Sequence, residues 1–267
     1  MNVRVIVTRP EREAQQWGRD LSALGLQTEI LALIKITPID NAAALVQAWH
    51  DLPAYAGVMF VSGNAVVHFF AAKPPQLPAF GAQSSGRPRA WATGPGTARA
   101  LAGAGVAPER VDAPAPKAGQ FDSEALWQVV AAQVGGGDRV LIVRGADAPS
   151  SADAAPGSGR DWFAKRVSEA GARAEFVLAY QRCVPDFGPA QQALARRAAG
   201  DGSVWLFSSA QAVANLRTCL PDQSWSGARA LATHPRIAAA AKSAGFGCVW
   251  ESRPTLSDVV ASLESIQ

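Results

Sequence analysis

The same set of motifs occurs twice along the chain, in the same order, and this repeat constrains the fold more than any other feature. Three pairs of segments carry it: 3–10 (VRVIVTRP) with 139–145 (RVLIVRG), 60–66 (FVSGNAV) with 207–213 (FSSAQAV), and 92–98 (ATGPGTA) with 232–238 (ATHPRIA). A unit this long is not the repeat of a solenoid or of an array. It predicts two similar lobes that enclose a cleft, and we expect function where the repeated loops face each other.

Segments of strand length alternate with helical patterns through both copies. The segments 3–7, 57–61, 139–143 and 203–207 are largely apolar, as expected for strands of a sheet that is covered on both faces. Strands that alternate with helices are typical of parallel sheets. The predicted fold class is therefore α/β, with two flavodoxin-like lobes that are each built on a parallel sheet.

The spacing of the repeat predicts how the chain passes between the lobes. Gly25 and Gly171 are separated by the same number of residues as Ser62 and Ser208. This alignment matches Ile34 with Tyr180 inside two extended segments, each of which has a proline close behind. We expect the two segments to pair as connectors, so that the chain crosses twice and one domain is discontinuous.

Definite boundaries follow from these connectors. Domain 1 is expected to hold residues 1–34 and 186–267, domain 2 residues 39–178, and the connectors residues 33–38 and 179–185. One extended stretch is expected over 28–39. The second copy also carries extra residues within 146–158, a segment rich in Ala, Ser, Pro and Asp that we interpret as a mobile surface loop.

Composition argues against several classes of protein. No apolar run is long enough to span a membrane, and the sequence starts on a strand pattern without a signal peptide, so we expect a cytoplasmic protein. Three cysteines and three histidines show no metal-ligand spacing, so no protein-bound catalytic metal is expected. The net charge of +3 is scattered, which disfavours a nucleic-acid partner and weakly favours a polyanionic small molecule.

Four turns precede predicted helices at the carboxyl ends of predicted strands, where α/β proteins bind ligands. Small residues there leave helix N–H groups open to anions. The four turns consist of Ser62, Gly63 and Asn64; Gly94, Pro95, Gly96 and Thr97; Ser208, Ser209 and Ala210; and Thr233, His234, Pro235 and Arg236. The alternative for each turn is plain helix capping, since Ser208-x-x-Gln211 is itself a capping box. Four such turns on one face favour anion binding.

Individual side chains near these turns are further candidates. The Thr97 hydroxyl is matched by Ile237 in the second copy, so a symmetric role is doubtful. Arg236 is predicted either to contact a carboxylate or to face solvent. Arg9 and Arg144 occupy equivalent positions after the first strand of each copy, where carboxylate binding competes with a structural salt bridge. We favour the salt bridge for Arg9 and carboxylate binding for Arg144.

The ordered motifs closely resemble those of the uroporphyrinogen-III synthase family, and the resemblance spans nearly the whole chain. The segments that carry it are 7–10, 33–34, 60–66, 94–98, 123–126, 141–145, 180–183, 207–209, 234–237 and 244–246. It implies two α/β lobes joined by a two-stranded antiparallel connector. It also implies a lyase that closes hydroxymethylbilane, a linear tetrapyrrole rich in carboxylates, to uroporphyrinogen III without a cofactor or a metal.

The resemblance also directs attention to Tyr180, because it implies that this side chain faces the cleft. A phenol is protonated at neutral pH and could donate a proton to the departing hydroxyl. The alternative is a connector tyrosine that only packs between the lobes. We further expect a monomer, with transient hand-over of substrate from hydroxymethylbilane synthase.

Two functions from other classes are considered as alternatives. A non-catalytic bilobal protein that binds a polyanionic small molecule would also have two lobes and anion-binding turns. A nucleotide-dependent enzyme is disfavoured, because the segment 94–99 departs from the dinucleotide fingerprint at Pro95 and Arg99.

Overall fold

Strands and helices alternate along the chain, as the apolar pattern predicts. This computed structural model describes residues 3–82, 86–115, 121–147 and 158–266, so most of the loop predicted at 146–158 lies outside the described residues. The strands are β1 (Arg4–Val7), β2 (Gln27–Ile30), β3 (Lys35–Pro38), β4 (Tyr55–Phe60), β5 (Arg89–Ala92), β6 (Val111–Asp112), β7 (Arg139–Asp147), β8 (Arg173–Cys183), β9 (Val204–Phe207), β10 (Arg229–Ala232) and β11 (Cys248–Glu251). The α-helices are α1 (Glu11–Ala23), α2 (Ala43–His50), α3 (Gly63–Ala71), α4 (Pro95–Gly103), α5 (Ser123–Val130), α6 (Ser158–Glu169), α7 (Pro189–Ala198), α8 (Ala210–Cys219), α9 (Pro235–Ser243) and α10 (Leu256–Ser265).

The packing contacts divide the chain into two units. Unit 1 consists of Met1–Lys35 and Cys183–Gln267, and unit 2 consists of Ile36–Arg182. The chain therefore passes from unit 1 to unit 2 within β3 and returns within β8. Packing within a unit does not test which segments fold independently, so the expected domain boundaries stay a prediction.

Unit 1 contains a five-stranded sheet in the order β11-β10-β9-β1-β2. All of its neighbouring strands are parallel. Numbered within the unit, this order is 2-1-3-4-5, which is the flavodoxin-like arrangement. The predicted fold class is confirmed for this unit.

Unit 2 contains a six-stranded sheet in the order β3-β8-β7-β4-β5-β6. The five strands from β8 to β6 are parallel. Starting from β7, they repeat the 2-1-3-4-5 order in circularly permuted form, because β7 and β8 follow β4 to β6 in the chain. The predicted pairing of the connectors is seen as β3 beside β8, and its antiparallel direction stays a prediction.

The cores lie on the two faces of each sheet. In unit 2, Phe60 and Phe69 belong to a buried cluster on the side of α2, α3 and α4. Met59 and Trp91 belong to a second cluster with α5 and α6 on the opposite side. Neighbouring residues of β4 therefore serve both cores, which explains why its sequence is apolar throughout.

The predicted extended stretch over 28–39 is wrong in its middle. The N–H groups of Leu31 and Leu33 donate to the carbonyls of Val7 and Thr8, at 3.0 and 3.3 Å. The buried Asn215 side chain donates to the Leu33 carbonyl at 2.7 Å. Because these bonds hold the backbone to the end of β1 and to α8, the stretch divides into β2 and β3.

Gly57 provides a test of the packing in unit 2. A Cβ atom at this position of β4 would overlap the Trp91 indole, which is fully buried on β5. We expect Gly57→Ala to lower the free energy of unfolding by about 1–3 kcal/mol, measured by urea unfolding. Gly103→Ala is the matched control, because a Cβ there meets no atom within 4 Å. Equal stability of the two variants would contradict the packing argument.

Glu175 predicts a specific pH dependence of stability. Its carboxylate accepts two hydrogen bonds from Arg139, each 2.9 Å long, and one from the Tyr55 hydroxyl, also 2.9 Å, so that it joins β8, β7 and β4. The Arg139 bonds hold the pKa of Glu175 below its ordinary value. The resulting stability is present above the ordinary glutamate pKa of about 4.3 and is lost as the pH falls below it.

The corresponding variant is Glu175→Gln. We expect its deficit in unfolding free energy to be largest at neutral pH and to shrink on acidification, measured by urea unfolding at a series of pH values. Glu264→Gln, at an exposed position of α10, is the control and should show no such trend. A deficit for Glu175→Gln that does not change with pH would contradict the expectation.

Candidate functional site

The candidate residues of unit 2 lie where the direction of the strand connections reverses. In a 2-1-3-4-5 sheet this switch point lies between the first and third strands, here β7 and β4. Arg144 and Gly145 lie in the carboxyl-terminal half of β7, and Ser62 lies two residues after the end of β4. The Val61 N–H donates to the Val143 carbonyl at 3.2 Å, which keeps the two strand ends together. This is the position at which open α/β sheets bind their ligands.

Tyr180 is directed to the switch point by an irregularity in β8. Leu178 lies opposite Arg144, whereas Tyr180 lies opposite Gly145, so that Ala179 is an extra residue in β8. A bulge of this kind turns the next side chain to the other face of the sheet. Tyr180 therefore lies on the face opposite to Leu178, and its side chain is 4% exposed.

Three neighbours hold the Tyr180 ring. A Cβ atom on Gly145 would overlap the ring carbons, so the ring lies directly over this glycine. The His68 imidazole of α3 stacks on the Tyr180 ring, with ring centroids 5.7 Å apart. The Tyr180 hydroxyl lies 3.1 Å from Ser62 Oγ, in a hydrogen bond that either group could donate. The phenol therefore has a fixed orientation within unit 2.

The predicted turns of unit 2 form two neighbouring helix N-termini. Ser62 is the N-cap of α3, and its Oγ accepts a hydrogen bond from the Ala65 N–H at 3.1 Å. Gly94 is the N-cap of α4, and Thr97 is buried in the first turn of that helix. A Cβ on Gly63 would lie 3.7 Å from the Gly96 carbonyl, which shows how close the two turns are. Asn64 is also buried in the first turn of α3.

The turns of unit 1 differ from the prediction in one residue. The N-cap of α8 is Ser209, whose Oγ accepts from the Gln211 N–H at 3.2 Å, so the capping box expected at Ser208 is wrong. Ser209 is therefore the structural equivalent of Ser62, and Ser208 and Ala210 flank it. β4 ends at Phe60 and β9 ends at Phe207, and Ser62 and Ser209 each lie two residues after these strand ends. The spacing between Gly25 and Gly171 matched Ser62 with Ser208 instead, which is one residue too early.

At α9 the capping group is a histidine. His234 is the N-cap, and its Nδ1 accepts from the Arg236 N–H at 3.1 Å, which requires an unprotonated Nδ1. Thr233 is buried, and its N–H donates to the Phe207 carbonyl at 3.1 Å. The Arg236 side chain is exposed. The capping alternative thus accounts for one N–H group in each capped turn, and a bound anion would have to use the others.

Arg9 and Arg144 are equivalent in sequence but differ in their contacts. Both guanidinium groups lie over aromatic rings, Arg9 over Trp17 at 4.3 Å and Arg144 over Phe176 at 4.9 Å. Arg9 also lies 3.6 Å from the Glu13 carboxylate, and burial lowers its pKa. Arg144 has no acidic partner among the described residues. The favoured salt bridge at Arg9 is therefore present, and no equivalent ion pair is found for Arg144 among the described residues.

Neither a metal centre nor a membrane span is found in the part of the chain that the structure describes. That part holds no group of three or more His, Cys, Asp or Glu side chains that could bind a metal ion. None of its helices is long and apolar enough to cross a membrane.

Comparison with known proteins gives the family. The sequence profile described as uroporphyrinogen-III synthase HemD matches residues 15–261. The chain belongs to the uroporphyrinogen-III synthase family. The resemblance drawn from the motifs is thereby confirmed.

Individual members of the uroporphyrinogen-III synthase family show how far the similarity extends. A protein named uroporphyrinogen-III synthase from Chlorobaculum parvum (strain DSM 263 / NCIMB 8327) is 32% identical over a segment that covers 42% of each chain. The match thus spans less than half of that relative's length. A crystal structure of a mutant uroporphyrinogen III synthase from the extremely thermophilic bacterium Thermus thermophilus covers 98% of each chain, with 17% identity and a TM-score of 0.53. Uroporphyrinogen-III synthetase from Helicobacter pylori 26695 covers 100% of each chain, with 13% identity and a TM-score of 0.60. At these identities the two structures establish a shared fold.

Sequence reasoning missed the surroundings of Tyr180. It assigned Ser62 to an anion-binding turn and Tyr180 to a connector, and it did not bring them together. Gly145 was available as a signal, because a glycine that follows a buried apolar strand often marks close approach of another group. His68 gave no signal, since it lies at an unremarkable position of a helix.

Proposed function

We propose that this protein converts hydroxymethylbilane to uroporphyrinogen III, with loss of water and inversion of ring D. Membership of the uroporphyrinogen-III synthase family over nearly the whole chain is the observation that carries this proposal. The phenol held at the switch point of unit 2 supports it, because the reaction benefits from one well-placed proton donor.

The main requirement of this reaction is control over which carbon of ring D attacks. The pyrrole nitrogens of the substrate can expel the terminal hydroxyl and leave an azafulvenium cation. The free end of the chain would then close directly and give the type I isomer. Inversion requires attack by the substituted carbon of ring D, which forms a spiro intermediate. Selection of such a near-attack geometry can supply about 7–11 kcal/mol in favourable cases.

Tyr180 is the proposed proton donor. As the carbon–oxygen bond of the substrate breaks, the phenol gives its proton to the departing hydroxyl, which leaves as water. The later loss of a proton from ring D, after it has been inverted and joined, returns a proton to the tyrosinate. The substrate itself activates the leaving group, so the phenol accelerates a step that proceeds slowly without it. No redox or metal chemistry is required by these steps.

The carboxylates of the substrate need hydrogen-bond donors in each unit. We assign this role in unit 2 to Arg144 and to the turns at α3 and α4, and in unit 1 to the turns at α8 and α9. The proposed binding residues are Ser62, Gly63, Asn64, Thr97, Arg144, Ser208, Ser209, Ala210, Thr233 and Arg236. Uncapped N–H groups and the positive end of each helix dipole favour anions at these positions.

The proposal includes the setting in which the enzyme works. The substrate would be the small molecule alone, received by transient hand-over from hydroxymethylbilane synthase. Neither nucleic acid nor a membrane takes part, and the enzyme would act as a monomer in the cytoplasm. The absence of any membrane-spanning helix among the described residues is compatible with this setting.

An isomer assay tests the proposed activity. Hydroxymethylbilane generated by its synthase is supplied to the purified protein, and the oxidised products are separated by isomer. We expect the type III isomer to dominate, with a yield that rises with protein concentration. The type I isomer alone, which forms spontaneously, would contradict the proposal. Substrate binding measured without turnover would instead favour the non-catalytic binding protein.

Arg144 provides a test of carboxylate binding. Hydrogen bonds to charged groups contribute about 1.5–3 kcal/mol, so we expect Arg144→Gln to raise KM by about tenfold or more. We expect kcat to change little, because the bond is made equally in the ground and transition states. Steady-state kinetics measures both values.

Arg9→Gln is the matched control for this variant, since it makes the same change at the equivalent position. Its guanidinium already has the Trp17 ring and the Glu13 carboxylate as partners, so we expect lower thermal stability with KM unchanged. Similar KM values for the two variants would argue against carboxylate binding by Arg144.

A further inference from the structure

We propose that the Ser62 side chain is a positioning residue for Tyr180, holding the phenol oxygen so that its proton is free for the substrate. This inference rests on the proposed function and deepens it. Ser62 entered that proposal only through the helix turn to which it belongs. The hydrogen bond between Ser62 Oγ and the Tyr180 hydroxyl assigns the side chain a second task.

The bonding capacity of a serine hydroxyl allows this hydrogen bond to run from Ser62 to Tyr180. Ser62 Oγ has one proton and two acceptor lone pairs. One lone pair accepts from the Ala65 N–H at 3.1 Å, and this bond caps α3. Its proton is still available, and the inference is that Oγ donates this proton to the Tyr180 oxygen, 3.1 Å away. In this direction Tyr180 accepts from Ser62, which leaves the phenol's own proton for the substrate.

The same bond becomes stronger as the proton leaves Tyr180. A tyrosinate oxygen carries a negative charge and only accepts hydrogen bonds, and bonds to charged groups are about twice as strong as neutral ones. Ser62 is also the N-cap of α3, so the positive end of that helix dipole lies at the developing charge. Stabilisation that increases in the transition state raises kcat rather than substrate affinity.

Two further neighbours restrict the Tyr180 ring. Gly145 lies so close to it that a Cβ atom would be excluded, and the His68 ring stacks on it. The arrangement is confined to unit 2. In unit 1 the equivalent serine, Ser209, caps α8, but the position that matches Tyr180 holds Ile34 and the position that matches Gly145 holds Pro10.

The first test compares three variants with the wild type in steady-state kinetics. We expect Ser62→Ala to lower kcat by about tenfold or more while KM changes little, since one hydrogen bond to a charged oxygen is lost. Ser62→Thr keeps the hydroxyl and should restore most of kcat. Asp122→Ala is the control for loss of a cap: Asp122 caps α5 of the same unit, accepting from the Ala125 N–H at 2.8 Å. It should lower thermal stability and leave kcat unchanged.

A double-mutant cycle with Tyr180→Phe separates positioning from general damage. We expect Tyr180→Phe to slow turnover without abolishing it, because the substrate activates its own leaving group. Once the phenol oxygen is absent, adding Ser62→Ala should cause little further loss of kcat. Fully additive losses would overturn the inference, and so would a Ser62→Ala variant that raises KM with kcat unchanged.

A second measurement does not depend on activity. The chain contains two tyrosines, Tyr55 and Tyr180, so protein grown with fluorotyrosine should give two fluorine NMR resonances. Tyr180→Phe assigns them. We expect Ser62→Ala to shift the Tyr180 resonance and to leave the Tyr55 resonance in place, whereas Asp122→Ala should move neither. An unmoved Tyr180 resonance would overturn the inference even if the variant is slow.

Failure of the two proposals can be distinguished. A wild-type protein that yields no type III isomer refutes the proposed function. A wild-type protein that yields it, with additive losses in the cycle, refutes only the role of Ser62.

Discussion

The pairing of strands from opposite copies of the repeat is the interaction on which both sheets depend. In unit 1 the first copy contributes β1 and the second copy contributes β9, and the two strands are neighbours. In unit 2 the relation is reversed, because β7 of the second copy pairs with β4 of the first. Each of these pairs lies at the centre of its sheet and at its switch point. Neither copy could build a complete sheet from its own segments in this arrangement, so the edge at the carboxyl ends of the central strands is composite in each unit.

Buried polar contacts reinforce the central pair in unit 1. The hydroxyl of Thr8, the residue after β1, is fully buried and donates to the Leu206 carbonyl of β9 at 2.6 Å. A buried hydroxyl without a partner would cost about 1–3 kcal/mol, so this bond also restricts how the two strands align. The equivalent of Thr8 in the second copy is Val143, which accepts a backbone hydrogen bond from Val61 instead. The two sheets share a topology and differ in how their centres are joined.

Much of the fold could be predicted because it depends on local patterns. Apolar runs predicted the strands, glycines such as Gly25 and Gly171 predicted the helix ends, and the repeat predicted that the two connector segments pair. The turn residues of the candidate site were also identified, since small residues before helices are a local signal. Comparison with known proteins confirmed the family resemblance and, with it, the predicted fold class.

What could not be predicted depends on contacts that are distant in sequence. The contact between Ser62 and Tyr180 joins residues 118 positions apart, and no local pattern indicates it. The break between β2 and β3 depends on Asn215, which lies far along the chain from Leu33 and bonds to a carbonyl that no pattern identifies. Secondary-structure propensity depends on the residues of one segment, whereas these contacts each join two segments that are far apart in the sequence.

The position of Tyr180 shows why a single extra residue matters in a strand. Side chains alternate between the faces of a strand, so Phe176, Leu178 and Tyr180 would share one face if β8 were regular. Phe176 and Leu178 are 42% and 39% exposed, whereas Tyr180 is 4% exposed on the other face. The bulge at Ala179 therefore decides whether the phenol meets Ser62 at all. A regular strand with the same composition would keep every local propensity and lose the one hydroxyl pair that the proposed chemistry uses.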